Sequence, residues 1–326
     1  MEILAYFKSI SQAMLQMFLL GLVGFFLIRR KVLSSEGLNG LTNLLVEVTF
    51  PALIFWQVIT KFSFDLYRNW FAYAFLSIII TVLGLVVGYI FSFSAKDERI
   101  KREFVSLVGF QNSGYLPLVL LGWLVPKEQL SNVLIYLFLF LLGFNLVFWS
   151  WGVHFLSGNK LKNFSLPSLF SPPVVATFLG FIFVALRINT SLPQFVLSPL
   201  EMLGNCSFPL AIVVVGGALG ELPILGELPI YRVSDKPLVA KMLLAKLVVL
   251  PLLGLIFLKY VAVPYFLGLL IILELAMPSA TSLSVIVRRY GREDKLISQG
   301  IFYSHIVSLL TLPLFLALFN WVVRAQ

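Results

Sequence analysis

Apolar residues run along this chain in ten long blocks, separated by short segments in which charged residues collect. The blocks cover residues 6–28, 39–60, 70–93, 104–124, 131–156, 172–188, 198–220, 238–260, 263–287 and 297–322. Most reach the ~20 predominantly apolar residues that a helix needs to cross a ~30 Å hydrocarbon layer. They are too long and too evenly apolar for barrel strands, which need only ~9–11 alternating residues. The pattern predicts an all-α polytopic membrane protein with ten transmembrane helices. The sixth block is the shortest and has room to extend toward Leu197, beyond Arg187. The first lacks a basic leader and a small-residue cleavage pattern, so it is read as a retained helix and not a signal peptide.

Composition agrees. The 326 residues are 60% hydrophobic and only 12% charged, with a mean hydropathy of +0.98. The net charge of +9 raises the question of nucleic acid. Its distribution answers it. With ten spans, sixteen Lys and Arg fall on one side, in segments such as Arg29–Arg30–Lys31 and Arg288–Arg289. Seven fall on the other, and Lys246 lies within a span. Basic loops face the cytoplasm, so both termini are expected outside and no nucleic-acid partner is expected. One cysteine, Cys206, excludes an internal disulfide and a cysteine-built metal site.

The blocks also repeat. "TFPALIFWQVI" in the second resembles "SFPLAIVVVGG" in the seventh, and their prolines, Pro51 and Pro209, are 158 residues apart. "SGYLPLVLL" in the fourth matches "ELAMPSATS" in the ninth, with Pro117 and Pro278 separated by 161. The expected organisation is two five-helix repeats, 1–157 and 172–326, joined by a polar cytoplasmic linker at 158–171. Five is odd, so the second repeat is inverted, a recurring plan of secondary transporters.

The fourth and ninth blocks are interrupted where a membrane helix should be regular. "GFQNSGYLPLVLLGW" places Gln111, Asn112 and Ser113 beside Gly114, with Pro117 behind them. Pro117 cannot donate a backbone hydrogen bond, and Gly114 lowers helix propensity by about 1 kcal/mol relative to Ala. In the ninth block Pro278 is flanked by Glu274, Ser279, Thr281 and Ser282. Matched Gly/Pro-interrupted spans point to a transporter's binding site. Opposed half-helices would aim partial positive charge at one spot, which suits an anion such as a carboxylate.

Together "VTFPALIFW", "NSGYLPL" and "AMPSATSLSVIVRRYG" resemble the auxin efflux carrier family, which includes bacterial permeases for malate-like carboxylates, and the resemblance covers nearly the whole chain. It implies a fold shared with bile acid:sodium symporters, with spans four and nine crossing at their breaks. Spans three to five and eight to ten would form a mobile transport domain. Spans one, two, six and seven would form a scaffold through which two copies pair. It further implies that Asn112 contacts the substrate carboxylate. The ninth span offers Ser279, Thr281 and Ser282 and no asparagine, and the long central loop of plant members is absent.

Ionisable residues inside spans each cost at least ~2.5–3.5 kcal/mol on insertion scales, so each is a functional candidate. Glu274, with Gln111 nearby, is the candidate coupling residue for Na⁺ or H⁺; the alternative is a structural ion pair. The 161 offset pairs it with Ser113. Lys246 is read as its partner, as a group that attracts the substrate anion, or as a side chain snorkelling to the cytoplasmic interface. Glu47 and its repeat mate Asn205 are read as a polar seam or as interhelical glue. Glu201 is read as an acid at a helix start. Asn145 and His305 hold related positions in spans five and ten; His305 is a candidate proton relay or a packing residue.

The chain carries no HExxH, GxSxG or GxxxxGK[ST] pattern, which argues against an enzyme and against ATP-driven transport. The function expected is secondary transport of a small organic anion by alternating access, without a cofactor or bound metal, in the inner (plasma) membrane. A receptor or channel without a transport cycle is the alternative.

Overall fold

The computed structural model describes residues 2–95, 97–158, 170–222, 236–289 and 295–324. Most of the expected linker at 158–171 lies outside the described residues, as do Lys96, Lys160, Lys162, Arg232 and Arg292. Among the described residues the regular structure is helical, with one isolated antiparallel bridge between Gln111 and Ser279.

In chain order the first half holds α1 (Glu2–Arg29), α2 (Ser35–Leu44), α3 (Phe50–Lys61), α4 (Trp70–Phe91), α5 (Glu98–Gly109), α6 (Tyr115–Leu124), α7 (Lys127–Val147) and α8 (Val153–Ser157). The second holds α9 (Pro172–Ala185), α10 (Gln194–Asn205), α11 (Ser207–Glu221), α12 (Lys236–Leu244), α13 (Leu250–Tyr260), α14 (Tyr265–Ala276), α15 (Ser282–Arg289) and α16 (Lys295–Arg324). Among the described residues, seven continuous helical stretches are long and apolar enough to cross a membrane: Ile10–Arg29, Ser35–Lys61, Trp70–Phe91, Lys127–Leu156, Gln194–Glu221, Pro237–Tyr260 and Leu296–Val323. The fourth, sixth and ninth blocks contain the shorter apolar helices Tyr115–Leu124, Pro172–Ala185 and Tyr265–Ala276.

Two expected boundaries move. The sixth block does not continue toward Leu197, because Arg187 takes the left-handed conformation (φ 57°) and a 3₁₀ turn, Ile188–Ser191, follows. The seventh starts at Gln194, so Glu201 stands beyond the first turn of α10 and not at a helix start.

Two of the prolines inside spans follow a local widening of the helix. Pro51 follows a π-helical turn at Leu45–Thr49, and Pro251 follows one at Ala245–Val249. A proline removes one N–H and its ring crowds the preceding turn, and a π-bulge relieves both.

Helix pairs approach closely where side chains are absent. A Cβ on Gly24 would run into the Val213 carbonyl, one on Gly216 into the Gly21 carbonyl, and one on Gly143 into the Ala74 carbonyl. These sites bring α1 against α11 and α4 against α7, the small-residue packing of membrane helices, where van der Waals contact replaces the hydrophobic effect. The outward faces stay apolar. Leu15, Leu19 and Val23 on α1, Phe75, Ile79 and Val82 on α4, and Phe178 and Ile182 on α9 are exposed at helical spacing, a surface suited to lipid.

Replacing Gly216 with Val should destabilise the fold by about 1–3 kcal/mol, read as a lower unfolding temperature of the purified protein. Gly40→Ala, inside α2 where a Cβ meets nothing within 4 Å, should hold that temperature or raise it slightly.

Candidate substrate and ion site

Both interrupted spans break into two helices. The first stops at Gly109 and resumes at Tyr115; the second stops at Ala276 and resumes at Ser282. Pro117 does not itself break the helix. It stands in the first turn of α6, where its missing N–H has no helical acceptor. Pro278 lies in the second break.

The two breaks satisfy each other. The Asn112 N–H donates to the Pro278 carbonyl (2.9 Å), and the Ala280 N–H donates to the Phe110 carbonyl (3.0 Å). These bonds flank the Gln111–Ser279 bridge. The carbonyls at the end of α5 find partners from elsewhere. Ser279 Oγ donates to the Leu107 carbonyl (2.7 Å), and Lys246 Nζ donates to the Val108 carbonyl (3.0 Å). Ser304 Oγ, on α16, accepts from the Ser279 N–H (3.2 Å). Several of the peptide groups freed by the breaks are thus bonded within the protein, where hydrocarbon would offer them nothing.

Side chains are left over. Gln111, Asn112 and Ser113 are buried, yet Gln111 Nε2, Asn112 Nδ2 and Ser113 Oγ lack a hydrogen-bond partner. Glu274 is fully buried on α14, and neither of its oxygens makes a hydrogen bond. Its polar neighbours include Ser113, Gln111 and Lys246. They surround the carboxylate without closing a bond of good geometry. Lys246 does not snorkel: it is 1% exposed, and its ammonium caps the C-terminal end of α5, where the helix dipole is negative.

A cavity of about 130 Å³ opens beside the first break. Asn112, Ser113, Gly114 and Tyr115 line it on one side, and Thr281 and Ser282 on the other. Asn145 from α7 and Phe50 and Pro173 from α3 and α9 complete the wall. The N-terminal ends of α6 and α15 therefore border one space, together with buried amides, and carry the partial positive charge that favours an anion.

Of the remaining candidates, Ser279 is fully buried between α5 and α16, and Pro278 offers its carbonyl to Asn112. Glu47 and Asn205 are exposed; Glu47 borders a separate open cleft with Pro51, Phe55 and Pro172, and neither residue lines this cavity. His305 lines a different cavity. Sequence reasoning missed Ser304. Its trace was a polar stripe on α16, in which Ser304, His305, Ser308 and Thr311 recur three or four residues apart.

The family profile described as a membrane transport protein matches residues 9–316. The chain belongs to this family of membrane transporters. The expected likeness to auxin efflux carriers thereby holds over nearly the whole length. As a member with several apolar helices, the chain is an integral, multi-pass membrane protein, and its family is one of transporters and not of enzymes. Comparison with curated proteins returned no match.

Lys246→Met should destabilise the protein by about 1–3 kcal/mol, because it leaves the buried Val108 carbonyl without its donor and removes a basic group beside Glu274. Adding Glu274→Gln should recover part of that loss. The four proteins of this double-mutant cycle, compared by thermal unfolding, test whether the two groups are coupled.

Proposed function

We propose that this transporter moves a small organic anion, a malate-like carboxylate, by alternating access at the crossing of the two broken spans. The observation that carries this reading is the cavity bordered by the N-terminal ends of α6 and α15, with the unpartnered Asn112 amide in its wall. A carboxylate seated there would accept from Asn112 and the hydroxyls of Ser113, Thr281 and Ser282, with Asn145 opposite.

The reading includes ten spans in two inverted repeats. The packing supports it: α1 lies on α11 as α9 lies on α3, and α1 meets α16 as α9 meets α7. Exchanging the first five spans with the second five turns each pair into the other. Helices α4 to α8 and α12 to α16 would then move as one body against α1 to α3 and α9 to α11, with the cavity at their boundary.

Glu274 is the coupling residue in this scheme. A buried carboxylate beside Gln111 and Ser113 suits a proton or a Na⁺ ion, and either would neutralise its charge as the site crosses the bilayer. The family resemblance adds pairing of two copies through the scaffold helices. The charge bias adds a plasma-membrane setting with both termini outside.

Uptake of radiolabelled mono- and dicarboxylates into proteoliposomes, with Na⁺ and pH gradients varied separately, tests the reading. Absence of flux for every carboxylate would overturn the substrate class. Asn112→Ala removes a hydrogen bond to a charged group, so flux should fall by roughly 10–100-fold while the protein stays folded. Glu274→Gln should abolish dependence on the driving ion; if that dependence persists, Glu274 is structural.

A further inference from the structure

Glu274 is a carboxyl group buried in an apolar bundle, and what balances it decides which ions the crossing accepts. Secondary transporters place Na⁺ at such points, held by carbonyls freed where helices unwind. Here the carbonyls of Leu107, Val108, Phe110 and Pro278 are at the crossing, and each already has a donor from the protein: Ser279 Oγ, Lys246 Nζ, the Ala280 N–H and the Asn112 N–H. The donor to Val108 is a basic side chain, itself 1% exposed.

The backbone directs Lys246 inward. It stands in the π-helical turn Ala245–Val249, where the consecutive residues Ala245, Lys246 and Leu247 are all buried. That turn packs against α14, which carries Glu274, and against α5, whose last carbonyls Lys246 reaches. Among the described residues, the charged group acting on Lys246 is Glu274, and the one acting on Glu274 is Lys246. The pair is neutral whichever partner holds their proton, as ammonium with carboxylate or as amine with carboxylic acid. A Na⁺ ion added to it would leave an uncompensated positive charge in apolar surroundings. The acid and the base also occur together along the chain. Counting back by the 161 offset, Glu274 corresponds to Ser113 and Lys246 to Leu85, so neither group has a charged counterpart in the first half.

We propose that Lys246 is the ion-selectivity residue of the crossing: its amine is a built-in substitute for a coupling metal cation and keeps Na⁺ out. This assignment rests on Glu274 as the coupling residue, and it removes Na⁺ from the two ions that role allows. Neither Lys246 nor Glu274 lines the cavity beside the first break, whereas Gln111 and Ser113, which neighbour Glu274, do. They mark the way in for an ion once the amine is gone.

Purified full-length protein without substrate tests this, by ²²Na⁺ binding and by thermal unfolding in NaCl against choline chloride of equal ionic strength. Wild type should show no saturable ²²Na⁺ binding and the same unfolding temperature in both salts. Lys246→Gln keeps a donor for the Val108 carbonyl and removes the basic group. Its ²²Na⁺ affinity should exceed the limit set by wild type by roughly tenfold or more, and Na⁺ should raise its unfolding temperature above that in choline. The same gain is expected of Lys246→Ala, which vacates the space as well. Adding Glu274→Gln to either variant should remove the gain. Saturable ²²Na⁺ binding or Na⁺-specific stabilisation of wild type would overturn the proposal, and that measurement needs no variant to fold. A folded Lys246 variant as indifferent to Na⁺ as wild type would overturn it too. Neither result bears on carboxylate flux, whose absence would overturn the substrate class alone.

Discussion

A peptide group in hydrocarbon has no water to fall back on, and each one left bare costs several kcal/mol. The centre of this molecule is built around that constraint. Two spans give up their helical bonding at the same depth, and each supplies what the other lost, through Asn112 to Pro278 and Ala280 to Phe110. Neither break is sustainable alone. The surrounding helices supply the remaining partners. Ser304 comes from α16, and Lys246 from the π-turn ahead of Pro251.

Satisfying the backbone this way releases the side chains. Because main-chain partners bond the breaks, Gln111, Asn112 and Ser113 keep free amide and hydroxyl groups at membrane depth. The same arrangement separates charge. The C-terminal end of α5 faces Lys246, while the N-terminal ends of α6 and α15 border the cavity. One interruption thus yields a lysine held inside the protein and a space at the wall bordered by helix N-termini, a few residues apart.

Close helix contact holds this arrangement in place. Gly21, Gly24 and Gly216 let α1 and α11 meet backbone to backbone, and Gly143 does the same for α7 on α4.

Much of this could be read from the chain alone, because hydrocarbon penalises polarity strongly enough to leave marks. The ten apolar blocks, the two interrupted ones and Gln111, Asn112, Ser113, Glu274 and Lys246 all stand out against apolar neighbours. What could not be read were contacts that depend on which helix meets which. The Leu107, Val108, Phe110 and Pro278 carbonyls belong to unremarkable residues, and backbone acceptors leave no trace in a sequence. Lys246 could equally have reached the interface; only the packing of its helix against α5 directs it to Val108. Ser279 bonds to Leu107 and Ser304, and Asn145 on α7 joins the cavity wall; neither contact is marked in the sequence. Residue chemistry is set by the chain, but a hydrogen-bond partner is set by position, and position follows from the tertiary packing of all the helices together.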